Sequence, residues 1–208
     1  MEAFTGKTVI LANGSFPMGA VPLEALRRAA RVVCCDGAAD KLLAAGMEPL
    51  WIVGDGDSVS AEARVRFASR CVCVAEQDTN DLSKAFRFCL SQGWRDILVL
   101  GATGGREDHT LGNLSLLADF AREADVRLLT DFGFFTPLTE SAKLESVAGQ
   151  QVSLVACDVG MRVSAEGLKY PVCDLPLSRW WQGTLNEACG ASFEVSFDEG
   201  VLLVFQTF

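Results

Sequence analysis

Residues 97–120 read ILVLGATGGREDHTLGNLSLLADF, and this stretch decides the fold class. Residues 97–100 are four branched aliphatic side chains, which predicts a buried strand. Over residues 109–124, apolar side chains recur at helical spacing along one side, which predicts a helix. A strand joined to a helix by a short loop is the repeating unit of parallel α/β folds. We therefore expect a parallel sheet with helices packed on it.

The same alternation of strand and helix extends over the first 130 residues. Strands are predicted at residues 8–12, 32–35, 50–53, 71–75, 97–100 and 126–130. A further helix is predicted at residues 81–92, where Leu82, Phe86 and Cys89 fall on one face. Residues 1–130 are therefore expected to form a Rossmann-like α/β domain, a mostly parallel sheet with helices on both faces.

After about residue 131 the chain shows strand patterns without intervening helices. These strands are predicted at residues 152–156, 161–165, 193–197 and 201–205, with a turn at residues 198–200 before the last one. Residues 131–150 contain two glycines and a proline and are expected to be the junction between two domains. We thus predict a small antiparallel β-sandwich over residues 131–208.

The chain of 208 residues has a formal net charge of −9, from 18 basic and 27 acidic side chains. A protein that binds nucleic acid neutralises phosphates with lysine and arginine, so this balance argues against nucleic acid as a partner. An acidic protein still handles an anionic small molecule if its carboxylates hold divalent cations. The position of the carboxylates therefore decides the class of ligand.

The sequence also bears on the cellular location. The first residues lack the basic and apolar regions of a secretory signal, and no apolar run is long enough to span a bilayer. Eight cysteines occur without a CxxC pair and with a single histidine, which disfavours a zinc site. Most of the cysteines lie in apolar runs, as buried thiols do in a reducing compartment. We expect a cytoplasmic protein with no membrane partner.

Polar clusters directly follow four of the predicted strands. They read CCDGAAD at residues 34–40, WIVGDGDS at 51–58, VAEQDTND at 74–81 and VLGATGGREDH at 99–109. The carboxyl ends of parallel strands meet at one edge of an open sheet, so these clusters are expected to converge on one crevice. The carboxylates concerned are Asp36, Asp55, Asp57, Asp78, Asp81 and Asp108. Carboxylates this close repel each other, and a bound cation or a raised pKa relieves the repulsion.

The tip at residues 54–58 is the strongest metal signal in the sequence. Asp55 and Asp57 are two residues apart and bracketed by glycines. On an extended tip both carboxylates point the same way and suit one Mg²⁺. The alternative is a tight glycine turn without a ligand. Asp36 and Asp81, taken singly, are also explained as helix N-caps or turn residues.

The loop at residues 101–106 is the second candidate for ligand binding. Its glycines let backbone N–H groups approach phosphate at the start of a helix, and Arg106 adds a bidentate donor. His109, the single histidine, lies beside Asp108 and this loop. A plain turn, and a core or capping histidine, are the alternatives. The loop after the first strand lacks GxGxxG and GxxxxGK[ST] occurs nowhere, which disfavours ordinary dinucleotide dehydrogenases and P-loop NTPases.

Taken together, these motifs resemble those of the thiamine pyrophosphokinase (thiamine diphosphokinase) family. The matching stretches are residues 36–38, 54–58, 77–81 and 104–109, in the family's order, followed by GLKYPV from residue 167 and LNE at residues 185–187. The resemblance implies an α/β catalytic domain, a C-terminal β-sandwich and a homodimer with active sites between subunits. It also implies that pyrophosphate passes from ATP to the hydroxyl of thiamine, with Mg²⁺, giving thiamine diphosphate and AMP.

The resemblance also assigns roles to residues at the matching positions. Mg²⁺ binding falls to Asp55, Asp57 and Asp81, and catalysis to these three with Arg106. ATP binding falls to Asp36, Gly104, Gly105, Arg106, Asp108 and His109. Thiamine binding falls to Gln77, Asp81 and Asn186, with Trp180 and Trp181 expected to stack on the vitamin. Packing in the β-domain or a dimer interface is the alternative for the two tryptophans.

Four positions depart from the family's pattern. Ala38 stands where glycine is frequent, and Gly56 where an aromatic residue is frequent. Asn80 stands where threonine is usual. Leu185 replaces the usual serine and so offers no hydroxyl to thiamine. These departures mark the places where this chain is expected to differ from its relatives.

The chemistry leaves alternatives open. Asp81 or Asp78 is expected to accept the proton of the attacking hydroxyl.

The tip at residues 51–58 also resembles the DxDx[ST] loop of aspartate-dependent phosphatases, in which Asp55 would be a covalent nucleophile. Such a loop is expected after the first strand of its domain, whereas two β-α units precede this one. A non-catalytic module that senses thiamine diphosphate or a nucleotide would not need so many clustered carboxylates.

Overall fold

The computed structural model describes residues 2–208, and the chain divides into two compact units. Unit 1 comprises Met1–Leu116 and Glu123–Asp131, and unit 2 comprises Leu117–Arg122 and Phe132–Phe208. Within residues 2–208, no helix combines the length and the apolar character needed to cross a membrane.

Unit 1 is built on six parallel strands. They are β1 (Thr8–Leu11), β2 (Arg31–Cys35), β3 (Trp51–Gly54), β4 (Cys71–Cys73), β5 (Asp96–Leu100) and β6 (Asp125–Leu129). Their order is β4-β3-β2-β1-β5-β6, and every neighbouring pair is parallel. All four residues of β1 are buried, as expected for a central strand of a parallel sheet. The predicted α/β fold class is confirmed.

The helices of unit 1 alternate with these strands. They are α1 (Ala20–Arg27), α2 (Ala38–Ala44), α3 (Ala61–Arg66), α4 (Asp81–Ser91) and α5 (Glu107–Phe120). Helix α4 shows how apolar periodicity predicts a helix, because Leu82, Phe86 and Cys89 are buried on its predicted apolar face. Asn80 caps its start by accepting the backbone N–H of Ser83 at 2.9 Å.

The order of the strands places a crevice beside β1. The chain runs outward from β1 through β2 and β3 to β4, and then crosses to β5 on the other side of β1. In open α/β sheets, ligands bind outside the carboxyl ends of the strands at such a reversal. The loops that leave β1 and β5 meet there, where the N–H of Ala12 donates to the carbonyl of Leu100 at 2.8 Å.

Unit 2 consists of antiparallel strands in two layers. They are β7 (Gly133–Leu138), β8 (Ala142–Glu145), β9 (Gln151–Ala156), β10 (Arg162–Glu166), β11 (Val172–Pro176), β12 (Asn186–Glu187), β13 (Ser192–Ser196) and β14 (Leu202–Thr207). One layer has the order β12-β9-β14-β7 and the other β11-β10-β13-β8. Leu154 and Val204 of the first layer share one apolar core with Val163 and Phe193 of the second. The predicted β-sandwich is thus confirmed.

One expectation for unit 2 is wrong. Residues 131–150, expected to be a junction, contain β7 and β8. The first residue of β7 is Gly133, and a Cβ at this position would collide with the backbone of Gln206 on β14. Pro137 pairs with Leu203 in the same ladder. The turn expected at residues 198–200 is present, and it joins two different layers, since β13 pairs with β8 and β10 whereas β14 pairs with β7 and β9.

Candidate active site

A cleft of about 500 Å³ opens in unit 1 at the carboxyl ends of the strands. Its walls come from the loops after β1, β3, β4 and β5 and from the N-terminal halves of α4 and α5. Of the residues proposed from the sequence, those that line it are Asp55, Gln77, Asp81, Gly105, Arg106 and His109. Residues of the predicted site that do not line it are Asp36, Asp57, Asp78, Gly104 and Asp108.

One side of the cleft is made by two loops in close contact. The N–H of Gly14 donates to the carbonyl of Gly101 at 2.7 Å, and the N–H of Ser15 donates to that of Thr103 at 2.8 Å. The hydroxyl of Ser15 donates to the carbonyl of Gly104, also at 2.8 Å. A Cβ at Gly14 would lie 2.5 Å from the carbonyl oxygens of both Gly101 and Thr103. The loop after β1 therefore supports the glycine-rich loop after β5.

Lys41 of α2 stabilises the loop after β1. Its Nζ donates to the carbonyl of Asn13 at 2.8 Å and to that of Gly14 at 2.7 Å. Partial burial lowers the pKa of Lys41 below its usual value. These bonds satisfy carbonyl groups of the loop, so that its backbone keeps one shape.

Arg106 and Asp108 form a bidentate pair at the start of α5. The Nε and one terminal nitrogen of Arg106 donate to the two carboxylate oxygens at 3.1 and 2.6 Å. The N–H of His109 donates to Asp108 at 2.9 Å. The Arg106 guanidinium, followed by this N–H, holds the pKa of Asp108 below its usual value. Three quarters of the Arg106 side chain is exposed, so the guanidinium is accessible to an anionic ligand.

Three carboxylates form a compact cluster beside the cleft. Ligand oxygens of Asp36, Asp55 and Asp57 all lie within 4.8 Å of one another. Asp36 is only 1% exposed, and one of its oxygens accepts the N–H of Ser58 at 2.7 Å. Its other oxygen, Oδ1, is buried without a hydrogen-bond partner among residues 2–208. A buried, unpartnered carboxylate oxygen beside two further carboxylates is a set of oxygen ligands that could hold a divalent cation.

The pKa values in this cluster diverge for physical reasons. Burial, with the charges of Asp81 and Asp55, raises the pKa of Asp36 above its usual value. The N–H of Asp57 donates to Asp55 at 3.2 Å and holds the pKa of Asp55 below its usual value. Gln77 also lies 3.5 Å from Asp55. The cluster is therefore a site that concentrates negative charge next to the cleft.

Asp81 belongs to a different pairing, with a lysine that the sequence reasoning missed. The Nζ of Lys84 lies 3.2 Å from Asp81 and 3.9 Å from Asp55, and its side chain is only 2% exposed. Burial opposes the charge of Lys84, but the hydrogen bond to Asp81 and the charges of Asp81 and Asp55 outweigh it, so its pKa lies above the usual value. Helical spacing places Lys84 on the side of α4 opposite to Leu82 and Phe86, so periodicity offered no signal for its burial.

The residues proposed from the second half of the sequence lie in unit 2. Trp180 and Trp181, in a short 3₁₀ helix, are 51% and 73% exposed. Asn186 is buried, and its amide pairs with both the N–H and the carbonyl of Tyr170, at 3.0 and 2.9 Å. Leu185, next to it, is 76% exposed with a φ of +62°, a left-handed conformation that is rare for leucine.

Two family models together match most of the chain, from residue 23 to residue 205. "Thiamin pyrophosphokinase, catalytic domain" matches residues 23–129, and "Thiamin pyrophosphokinase, substrate-binding domain" matches residues 133–205. The first match contains the carboxylate cluster and both cleft-lining helices. The second contains the strands of the β-sandwich from β7 onward.

Individual relatives agree with these matches. Thiamin pyrophosphokinase 1 of Caenorhabditis elegans is 37% identical over 97 residues, and this match spans 42% of this chain and 40% of the relative's length. Thiamine pyrophosphokinase 1 of Oryza sativa subsp. japonica is 30% identical over 183 residues, spanning 74% and 69% of the two chains. The crystal structure of thiamine pyrophosphokinase from Bacillus subtilis superposes with a TM-score of 0.80 over 97% of this chain and 99% of its own, at 24% identity.

The matches agree on one family and one fold. They confirm the family predicted from the motifs, and they lend no support to an aspartate phosphatase or a non-catalytic module. The order of the matched segments also follows the order of the two units along the chain. The chain belongs to the thiamin pyrophosphokinase family.

Proposed function

We propose that this protein transfers the pyrophosphate group of ATP to the hydroxyl of thiamine, giving thiamine diphosphate and AMP. The observation that carries the proposal is the composition of the cleft. A carboxylate cluster with an unpartnered buried oxygen borders one side, and a glycine-rich loop with an exposed arginine borders the other. Such a site suits a triphosphate that is bridged to carboxylates by divalent cations.

The carboxylates Asp55 and Asp57 with Asp36 would hold Mg²⁺, and Asp81 lines the cleft beside them as the further ligand that the family pattern implies. When bound, Mg²⁺ supplies positive charge that neutralises the phosphate oxygens. The unpartnered Oδ1 of Asp36 supports this assignment, because a buried acceptor without a donor is stabilised by a cation.

On the ATP side, the backbone N–H groups of residues 101–106 and the start of α5 would bind the phosphates. Arg106 would turn from Asp108 to the phosphate oxygens, and His109 would line the nucleotide path. Gly104 and Gly105 let the backbone come close to the ligand. The loop after β1 holds these donors in place before the ligand binds, which lowers the entropic cost of binding.

The reaction needs a hydroxyl oxygen in line with the β-phosphorus of ATP. That oxygen forms a bond to the β-phosphorus while the bond to the oxygen shared with the α-phosphorus breaks, and AMP leaves with the electron pair. Asp81 is the better placed of the two candidate bases, because it lines the cleft while Asp78 does not. The Nζ of Lys84, 3.2 Å away, would fix the position of the Asp81 carboxylate that accepts the proton of the hydroxyl.

The thiamine side and the assembly extend the proposal. Residues 1–130 are proposed as the catalytic domain and residues 131–208 as the part that binds thiamine and forms a homodimer. The exposed indoles of Trp180 and Trp181 support this, because aromatic rings stack on the cationic thiazolium and the pyrimidine. Asn186 would act indirectly, by holding the backbone of Tyr170. Sedimentation velocity checks the dimer.

A cytoplasmic location is proposed on the state of the cysteines. All eight are free thiols, three of them fully buried (Cys34, Cys35 and Cys89). Unpaired thiols in this number are typical of proteins from a reducing compartment.

One assay tests the function directly. The protein is incubated with ATP, Mg²⁺ and thiamine, and the nucleotides and thiamine esters are resolved by chromatography. AMP and thiamine diphosphate in equal amounts are expected. ADP or phosphate formed without thiamine would instead indicate a hydrolase, and tight binding without turnover would indicate a sensor. Asp57→Asn should abolish turnover, whereas Glu62→Gln removes an equal charge from the exposed surface of α3 and should not.

A further inference from the structure

A chain of three hydrogen bonds runs along the cleft from α4 to the loop after β5. The backbone N–H of Ser83 donates to Oδ1 of Asn80 at 2.9 Å. The Nδ2 of Asn80 donates to Oδ1 of Asn113 on α5 at 3.2 Å. The Nδ2 of Asn113 donates to the carbonyl of Ala102 at 2.8 Å. Asn80, Asn113 and Ala102 all line the cleft. We call this connection the amide bridge.

The backbone groups at the two ends of the amide bridge determine the orientation of both amides. A backbone N–H only donates and a backbone carbonyl only accepts. Asn80 must therefore present its oxygen to Ser83, and Asn113 must present its amino group to Ala102. The amino group of Asn80 then faces the oxygen of Asn113, so every bond has a donor and an acceptor. Neither amide can flip without losing a bond, and each bond polarises the next.

The amide bridge joins the two chemical halves of the cleft. Asn80 is the cap of α4, whose first residue is Asp81 and whose fourth is Lys84. Ala102 belongs to the loop that continues to Arg106. The bridge therefore links the helix that carries the carboxylate to the loop that carries the phosphate donors.

The amide at position 80 serves the two ends of the bridge with two different atoms. Serine, threonine and aspartate also cap helices, but a hydroxyl places its donor and its acceptor on a single atom, and a carboxylate has no hydrogen to donate. Asn80 uses two separate atoms for its two partners. It is also one of the positions at which this chain departs from the family pattern.

We propose that Asn80 is a positioning residue for pyrophosphate transfer, acting through Asn113 to hold the Asp81 carboxylate at a set distance from the triphosphate-binding loop. The inference rests on the proposed function for its kinetic readout. Without the bridge, both substrates still bind, but the hydroxyl and the β-phosphorus no longer meet in line. The rate of transfer then falls more than the affinity for either substrate, because small misplacements affect the transition state most.

The test compares Asn80→Thr, Asn113→Ala and the double variant with the wild type. Threonine keeps the helix cap through its hydroxyl oxygen and lacks the second polar atom, Nδ2, that reaches Asn113, so the melting temperature should stay close to that of the wild type. We expect kcat to fall about 10- to 100-fold in each single variant. The KM values for ATP and thiamine should change less than kcat. The double variant should be no slower than Asn113→Ala, because both substitutions break the same bridge.

Two results would overturn the inference. One is Asn80→Thr with the kcat of the wild type, and the other is a double variant in which the two losses multiply. Hydrogen exchange supplies a readout that needs no turnover. The backbone amides of residues 101–106 should exchange faster in Asn80→Thr than in the wild type, and unchanged exchange also contradicts the bridge. A wild-type protein without transferase activity would refute the proposed function, whereas the exchange experiment would still decide the bridge.

Discussion

At the scale of single residues, the buried ammonium group of Lys84 controls the acidic side of the cleft. Its side chain is 2% exposed and lies between the carboxylates of Asp81 and Asp55. A buried lysine is retained only when partners offset the loss of hydration, and here two carboxylates do so. The lysine in turn places a positive charge 3.2 Å from Asp81 and 3.9 Å from Asp55.

Replacing Lys84 by methionine should therefore lower kcat strongly. Methionine is similar in length but leaves Asp81 and Asp55 without their buried cation. By analogy with the removal of a preorganised donor, we expect a loss of about 10²-fold in kcat. Steady-state kinetics of thiamine diphosphate formation checks this. Arg87→Met on the exposed side of the same helix also removes an ion pair, with Glu76, and should retain activity. A wild-type kcat in Lys84→Met would remove the lysine from the mechanism.

At the scale of elements, the contact between the loops after β1 and β5 leaves no space for a side chain at Gly14. A Cβ there would lie 2.5 Å from two carbonyl oxygens, and neither loop can retreat without breaking their shared hydrogen bonds. This close contact shapes the backbone that would bind phosphate.

Gly14→Ala should weaken ATP binding and destabilise the protein together. Overpacking of this kind costs about 1–3 kcal/mol of unfolding free energy, which urea unfolding measures. The KM for ATP should rise in the same variant. Gly112→Ala on α5 is the matched control, since a Cβ there meets no described atom within 4 Å. That control should be neutral or stabilising by about 0.5–1 kcal/mol, because alanine favours helix over glycine. A neutral Gly14→Ala would contradict the steric argument.

The irregular pairing of β10 with β11 depends on a local ion pair. Arg162 donates from two nitrogens to the carboxylate of Asp174, which has a φ of +48° at an irregularity in the ladder. The Arg162 guanidinium holds the pKa of Asp174 below its usual value. Asparagine tolerates the same backbone conformation, so Asp174→Asn removes the charge without adding strain.

This pair predicts a specific pH dependence of stability. Because the folded-state pKa of Asp174 lies below its unfolded value, the unfolded chain takes up the proton first as the pH falls. The stabilisation is thus complete above the unfolded pKa of about 3.9 and disappears as the pH falls through the folded pKa. Urea unfolding should show Asp174→Asn less stable than the wild type at pH 7, with the difference shrinking below pH of about 4. A difference independent of pH would exclude the ion pair as its cause.

At the scale of the whole molecule, the net charge of −9 is partly concentrated where a cation is expected. The cluster of Asp36, Asp55 and Asp57 brings like charges together at a cost to folding. A divalent cation that binds there removes this repulsion and also stabilises the folded state by mass action. The same acidity favours a cationic vitamin over an anionic polymer as a ligand.

Mg²⁺ should therefore raise the melting temperature, and its removal with EDTA should lower it. At a Mg²⁺ concentration of about 100 times its dissociation constant, the gain in unfolding free energy is about 2.7 kcal/mol. Differential scanning calorimetry measures the shift. Asp36→Asn should lose the dependence on Mg²⁺, whereas Glu62→Gln should keep it. An equal Mg²⁺ effect in both variants would contradict a site built on Asp36.

How much of the fold could be predicted depends on the range of the interactions involved. Strands β1 to β6 and helix α4 were predicted closely, because their burial follows from local periodicity. Strand β7 was missed because Gly133 and Pro137 are typical of loops, and its pairing with β14 explains them, whereas β8, missed in the same segment, pairs with β13. Pairing with a distant strand then outweighs the local conformational preference of these residues.

The candidate site likewise has features that local sequence predicts and contacts that only the tertiary structure decides. Its acidic tips and its glycine-rich loop could be predicted from the sequence, because they follow buried strands and the carboxyl ends of parallel strands share one edge. The clustering of Asp36 with Asp55 and Asp57, the pairing of Asp81 with Lys84 and the amide bridge are decided by the tertiary structure. These contacts depend on distances between side chains on different elements, and local sequence periodicity does not specify such distances.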